Sequence, residues 1–166
     1  MKVIFSHGKE SGPWGSKIKH LANIATQHGC EVDSIDYTDL FDPDKRVDRL
    51  VELLNNESED VVLVGSSMGG YVSLVTSAQV NVKAVFLLAP ALYIEEYSVQ
   101  HYEFSCPMLE IVHGWADDVI PVENSIRFAQ DVNCSLHLIP GDHRLNSSIE
   151  EVSVLFEQFI IKTMGE

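Results

Sequence analysis

The chain has 166 residues, 45% of them hydrophobic and 22% charged, and its 25 acidic and 11 basic residues give a formal net charge of −14. This composition is typical of a globular protein with a sizeable core and argues against a disordered or membrane-spanning chain. The negative charge would repel nucleic-acid backbones and anionic lipid surfaces, so we expect neither as a partner.

Several simple features bound the location and the organisation of the chain. The longest apolar runs fall short of the roughly 20 residues that span a bilayer, and the N-terminal apolar stretch is too short for a signal peptide, so we expect a cytoplasmic protein. The sequence contains no repeat and no linker, which favours a single domain over residues 1–166. Cys30, Cys106 and Cys134 lack the spacing of disulfide frameworks or metal sites, and we expect reduced thiols, no metal and no cofactor.

Short apolar segments alternate with segments of helical periodicity. Apolar runs rich in β-branched residues predict strands at 3–5, 31–35, 61–64, 82–88, 108–112 and 136–139. Apolar residues with i, i+3, i+4, i+7 spacing begin at Ile18, Val47 and Val152 and predict helices there. The alternation predicts an α/β fold, a three-layer α/β/α sandwich with a mostly parallel sheet of about six strands.

The segment GSSMG at 65–69 places Ser67 between two glycines, directly after a predicted strand and before a helical segment. This context is typical of a nucleophile elbow, in which any side chain at the glycine positions would collide with its neighbours. Ser66 is the weaker candidate because it lies off the centre of the turn. A glycine-rich turn with capping serines would need no chemistry, and a phosphate-binding turn lacks its usual spacing.

A serine nucleophile needs a base that is oriented by an acid, in the chain order serine, acid, histidine. The acidic pair Asp117 and Asp118 follows the strand predicted at 108–112, and His143 follows the last predicted strand. Because parallel strands present their carboxyl ends at one edge of the sheet, we expect these groups to meet Ser67 there. His7 also follows a strand, but its place in the chain order favours a packed, hydrogen-bonded histidine.

Four segments together resemble the α/β-hydrolase superfamily, and the resemblance covers essentially the whole chain. They are SHGKESG after the first strand, GSSMGG at the elbow, HGWADDVIP, and GDHRL around His143. The resemblance implies that Asp117 is the acid and Asp118 its neighbour. Only about 16 residues, 91–106, stand where larger members carry a lid, so the chain is similar to the small, lidless esterase and thioesterase branch.

Acyl transfer also needs N–H donors for the developing oxyanion. The N–H of Met68, directly after the serine, is the first. The resemblance of residues 7–9 to the HG turn of the family implies the N–H of Lys9 as the second. Trp14 and Trp115 stand on predicted strand-end loops, where they could line a substrate pocket or cover loop edges. The segment 93–102 could equally form a pocket wall or a surface segment anchored by its tyrosines.

These features predict a serine hydrolase that cleaves small soluble carboxylic esters or thioesters through an acyl-enzyme. Three alternatives stay open. The chain could be a binding or regulatory module on a hydrolase fold, because a fold does not specify a function. It could be a peptidase or amidase with the same three residues, or it could perform perhydrolysis or C–C cleavage.

Overall fold

A computed structural model describes residues 1–165. Its strands are β1 (Lys2–Ser6), β2 (Glu31–Ile35), β3 (Val61–Ser66), β4 (Ala84–Leu88), β5 (Met108–Gly114) and β6 (Ser135–Ile139). Its helices are α1 (Ser16–Gln27), α2 (Pro43–Leu54), α3 (Met68–Ser77), α4 (Val122–Val132) and α5 (Ile149–Gly165), with a short 3-10 turn at Asn146–Ser148. All strand pairs are parallel, in the order β2-β1-β3-β4-β5-β6.

The sheet is covered on both faces, which explains why its central strands are apolar without alternation. Helices α1 and α5 pack on one face, against residues such as Phe5 and Phe86. Helices α2, α3 and α4 pack on the other, against residues such as Leu63 and Ile111. The predicted three-layer α/β fold is therefore confirmed, and all six predicted strands form.

The differences from the predicted elements have local causes. Strand β4 begins at Ala84, which pairs with Val62, and Val82 precedes the strand as a buried residue. Helix α3 is buried on all sides and shows no amphipathic pattern. Helix α4 was not predicted, although its four buried residues follow helical spacing; one of them, Ser125, is polar.

Helix α2 begins on a strong local signal. The side chain of Asp42 accepts hydrogen bonds from the N–H groups of Asp44 and Lys45, and Pro43 occupies the first helical position. Both features favour a helix start. The helix packs against α3, so the residues that face inward from α2 approach the loops after β1 and β2.

The segment 91–107, at the position of a lid, contains no helix or strand and is held by its tyrosines. The hydroxyl of Tyr71 donates to Asp44 at 2.7 Å and accepts the N–H of Val99 at 3.2 Å. The hydroxyl of Tyr102 accepts the N–H of Tyr93 at 2.9 Å. These bonds favour a surface segment anchored by tyrosines, one of them Tyr71 of α3.

The three cysteines form no disulfide within residues 1–165. Cys30, Cys106 and Cys134 are free thiols, and burial raises the pKa of Cys106 and of Cys134 to about 11. Within residues 1–165, no helix combines the length and the apolarity that crossing a bilayer requires.

Candidate active site

Ser67 lies on the sharp turn between β3 and α3. Its backbone has φ 55° and ψ −118°, a strained conformation for a residue with a side chain. The turn is fixed from both sides: the N–H of Ser67 donates to the carbonyl of Leu88 at 3.0 Å, and its own carbonyl accepts the N–H of Ala91 at 2.9 Å. The hydroxyl is therefore presented at the carboxyl edge of the sheet by a rigid backbone.

Two glycines make this turn possible. A Cβ atom on Gly65 would lie 2.2 Å from the carbonyl oxygen of Gly69, and a Cβ on Gly69 would lie 1.9 Å from the carbonyl oxygen of Ser6. Both distances are far below contact, and the obstacles are backbone atoms that cannot rotate away. The GxSxG spacing thus reflects the close approach of β1, β3 and α3.

His143 links the serine to a carboxylate. Its Nε2 lies 3.0 Å from the hydroxyl oxygen of Ser67, and its Nδ1 lies 2.8 Å from Oδ2 of Asp117. Both distances are within normal hydrogen-bond range. The side chains of residues 67, 143 and 117, from three separate loops, therefore form one continuous hydrogen-bonded line, while the catalytic role of each residue stays a prediction.

The carboxylate of Asp117 is fully buried and receives four hydrogen bonds. Its Oδ1 accepts the N–H groups of Val119 at 2.9 Å and Ile120 at 2.8 Å, and its Oδ2 faces His143 and, at 2.9 Å, His113. Burial alone would raise the pKa of Asp117, but the bonds from His143 and the backbone outweigh it and hold the pKa below its ordinary value. The group is ionised at neutral pH.

His113, a buried partner of this carboxylate, was not among the predicted site residues. Its Nε2 faces only acceptors, Asp117 and the carbonyl of Ile120, while its Nδ1 lies 2.7 Å from the hydroxyl of Ser125. Nε2 therefore carries the proton and Nδ1 accepts from the serine. Burial lowers the pKa of His113, which keeps it neutral. The sequence did offer one signal for His113, because it directly follows the apolar residues of β5, where site residues are expected.

The loop between β1 and α1 runs beside the serine. A Cβ on Gly8 would lie 3.6 Å from the Cβ of Ser67, an ordinary contact distance, so this loop passes directly beside the serine. The hydrogen bonds within residues 1–165 leave the N–H groups of Met68 and Lys9 without an acceptor. His7 is fully buried and bonded to backbone groups, as a structural histidine would be.

The first part of the chain matches a known protein family. Residues 2–103 match the model of UPF0227, described as an uncharacterised protein family. The chain belongs to this family. The matched span of the UPF0227 chain contains Ser67 and the loop at residues 7–9, and it ends before Asp117 and His143. No curated protein sequence matches the chain.

Solved structures extend the likeness to the whole chain. A candidate hydrolase of the α/β superfamily from Xanthomonas campestris pv. campestris has 31% sequence identity and a TM-score of 0.90, with 97% of this chain and 98% of that chain covered. This relative places the UPF0227 chain in the α/β-hydrolase superfamily. The predicted resemblance is confirmed.

Two more distant structures share the fold. Est1E from Butyrivibrio proteoclasticus has 18% identity and a TM-score of 0.84, with 99% of this chain and 88% of that chain covered. An α/β serine hydrolase without a lid from Xanthomonas campestris has 15% identity and a TM-score of 0.74, with 96% of this chain and 81% of that chain covered.

The other predicted residues lie beyond the carboxyl ends of the strands, and they do not take part in the hydrogen-bonded line from Ser67 to Asp117. Trp14 and Trp115 stand on the loops after β1 and β5 and are 42% and 57% exposed. Asp118 is exposed and outside the hydrogen-bonded line. Asp142, next to His143 and not among the predicted site residues, accepts the N–H groups of residues 144 and 145, both at 3.1 Å, as a turn-capping carboxylate does.

Lys17, which the sequence did not single out, supports the histidine loop. It stands near the start of α1, and its Nζ donates to the carbonyl of Arg144 at 2.9 Å, one residue beyond His143. Burial lowers the pKa of Lys17 to about 8, although the charges of Asp142 and Asp117 act in the opposite direction. A lysine bound to a backbone carbonyl carries no pattern that a sequence would reveal.

Replacement of Gly69 with alanine should destabilise the protein by about 1–3 kcal/mol or more, because the new methyl group would overlap the backbone of β1. Chemical denaturation measures the change. The matched control is Gly12→Ala, where no heavy atom lies within 4 Å of the new Cβ and the change should stay within about 0.5 kcal/mol. Equal effects in both variants would contradict the tight turn.

Because of Lys17, the free energy of unfolding should depend on pH in the alkaline range. The unfolded chain holds the Lys17 proton up to the ordinary pKa of 10.5, whereas the folded protein releases it near 8, so the free energy of unfolding should rise with pH across this window. In Lys17→Met this contribution is absent. Denaturant unfolding of both proteins from neutral pH upward tests the sign, and a wild-type-minus-variant difference that stays constant or falls would contradict it.

Proposed function

We propose that this protein is a serine hydrolase that cleaves small soluble carboxylic esters or thioesters through an acyl-enzyme intermediate. The observation that carries the proposal is the unbroken line from the hydroxyl of Ser67, through both ring nitrogens of His143, to the buried carboxylate of Asp117. A serine hydroxyl is a weak nucleophile until an adjacent base accepts its proton, and this line supplies that base.

The first half of the reaction forms the acyl-enzyme. The oxygen of Ser67 attacks the carbonyl carbon while Nε2 of His143 takes the hydroxyl proton. Asp117 holds Nδ1–H and stabilises the imidazolium that results. The carbonyl oxygen becomes an oxyanion, for which the N–H groups of Met68 and Lys9 are the proposed donors. When the intermediate collapses, the imidazolium gives its proton to the departing alcohol or thiol.

The second half restores the enzyme. Water attacks the acyl carbon and passes a proton to Nε2 of His143. The tetrahedral intermediate then expels the oxygen of Ser67, which recovers its proton, and the carboxylic acid leaves. The base must be neutral at the start of each half, because only the free lone pair of Nε2 can accept a proton.

The surroundings of the serine favour small substrates. The segment 91–107 is anchored on α3 and α4, where a larger member would carry a lid, and it contains no helix that could rise from the surface. A site without a mobile cover suits a substrate that reaches it from water. The net charge of −14 disfavours nucleic acid as a partner.

Ser67→Ala should lower the hydrolysis of a chromogenic short-chain ester on the order of 10³-fold or more, because the three residues act as a unit. The matched control is Ser66→Ala, which removes the neighbouring hydroxyl outside the hydrogen-bonded line. A serine-directed fluorophosphonate, followed by peptide mass spectrometry, should label Ser67 in the wild type and in Ser66→Ala and should leave Ser67→Ala unlabelled. Full hydrolysis of the ester by Ser67→Ala would contradict the assignment of Ser67 as the nucleophile.

Labelling of Ser67, together with matched substrates, separates ester or thioester hydrolysis from the two main alternatives. A binding or regulatory module on this fold would leave Ser67 unlabelled and would turn over no ester. A peptidase or amidase would be labelled too, so matched ester, thioester and amide substrates are compared. An esterase or thioesterase should cleave the ester and the thioester and leave the matched amide uncleaved, whereas a peptidase or amidase would turn over all three.

Trp115 is proposed to line the substrate site together with Trp14, because both stand exposed on loops at the edge that carries Ser67. Trp115→Ala should raise KM for an aromatic ester roughly tenfold, the equivalent of about 1.4 kcal/mol of lost contact, with little change in kcat. Ile161→Ala, an equally exposed apolar residue on α5, is the control. Equal KM in wild type and Trp115→Ala would assign Trp115 to loop cover.

A further inference from the structure

Arg46 is a charged side chain in an unusual place. It lies on α2, is fully buried, and has no carboxylate within salt-bridge distance among residues 1–165. Burial of an unpaired charge is costly unless hydrogen bonds replace the lost water. Five backbone carbonyls do so, at distances of 2.7–3.4 Å: those of Leu40, His7, Gly8, Lys9 and Tyr37.

Three of these carbonyls are consecutive and belong to the loop beside Ser67. Nη1 of Arg46 donates to the carbonyls of His7 at 3.1 Å and Gly8 at 3.2 Å, and Nη2 donates to that of Lys9 at 3.4 Å. The guanidinium thus holds the first three carbonyls of the loop after β1 toward α2. Its planar array of five N–H groups suits such a cluster of acceptors better than the point charge of lysine would.

The carbonyl of Gly8 is held a second time by His7. The N–H of Tyr37 donates to Nε2 of His7 at 3.0 Å, so this nitrogen is unprotonated. The proton therefore sits on Nδ1, which donates to the carbonyl of Gly8 at 2.7 Å. Burial lowers the pKa of His7 and favours this neutral tautomer. Three donors therefore meet on one carbonyl oxygen: Arg46, His7 and, at 3.4 Å, the hydroxyl of Ser11.

Because a peptide unit is planar, the hydrogen bonds that fix the carbonyl of Gly8 also fix the direction of the N–H group of Lys9. The carbonyl of Gly8 and the N–H of Lys9 belong to the same planar trans peptide, in which they point in opposite directions. With the carbonyl fixed on Arg46 and His7, the N–H of Lys9 must point away from α2. Gly8 itself lies against Ser67, where its Cβ would come within 3.6 Å of the serine Cβ.

We propose that Arg46 is a positioning residue for the oxyanion donor: it fixes the Gly8–Lys9 peptide so that the N–H of Lys9, and not the carbonyl of Gly8, faces the reacting carbonyl. This inference rests on the proposed function. Donors that are oriented before the reaction stabilise a developing charge without reorganisation. A rotated peptide would present a carbonyl oxygen to the oxyanion and repel it.

Arg46→Lys and Arg46→Met should each lower kcat for a short ester by about 10- to 100-fold while KM changes less than about twofold, since oxyanion contacts strengthen in the transition state. The matched control is Arg49→Met on the same helix, whose guanidinium pairs with Asp39 on the surface. Leu50→Ala, a buried aliphatic residue of α2, controls for lost stability and should keep its kcat.

A double-variant cycle separates positioning from a purely structural role. Lys9→Pro removes the N–H, and in that background Arg46→Lys should lower kcat less than threefold further, because contributions through one contact are not additive. The inference would be overturned if Arg46→Lys lowered kcat in the Lys9→Pro background as much as it does in the wild type, or if kcat in Arg46→Lys were unchanged. Either result leaves the proposed function intact as long as the wild type is active. A wild type that turns over no ester would overturn both.

Discussion

The hydrogen bonds that saturate the carboxylate of Asp117 are the constraint on which the site depends. Four donors, two from backbone N–H groups and two from histidines, hold the ionised group in a place where water does not reach it. Such a group costs a great deal when unpaired and becomes rigid when fully bonded. Because its position is fixed, the imidazole of His143 has one favourable orientation, with Nε2 toward Ser67.

The sheet brings these partners together. Ser67 follows β3, Asp117 follows β5 and His143 follows β6, and these strands lie close together in a parallel sheet whose carboxyl ends share one edge. The loop after β1, on the other side of β3, completes the surroundings of the serine. Two buried groups, His113 and Arg46, then hold the acid loop and the β1 loop by bonds to polar atoms inside the protein.

Much of this arrangement is predictable from sequence because it follows from local steric rules. The glycines around Ser67 are forced by backbone contacts, and the apolar strands are forced by burial on two faces. Two of the residues that sequence reasoning missed, Arg46 and Lys17, act through backbone carbonyls, whereas His113 acts on the carboxylate of Asp117. Arg46 reads as a surface arginine on an amphipathic helix, and Lys17 as a surface lysine, since neither carbonyl partners nor burial leave a mark in the sequence.

The most direct measurement of the central claim is NMR spectroscopy of the ring nitrogens of His143 in labelled protein at neutral pH. The proton on Nδ1 should be strongly deshielded by its hydrogen bond to Asp117, and this signal should vanish in Asp117→Ala. Dominance of the tautomer protonated on Nε2, or a signal that survives removal of the carboxylate, would contradict the account.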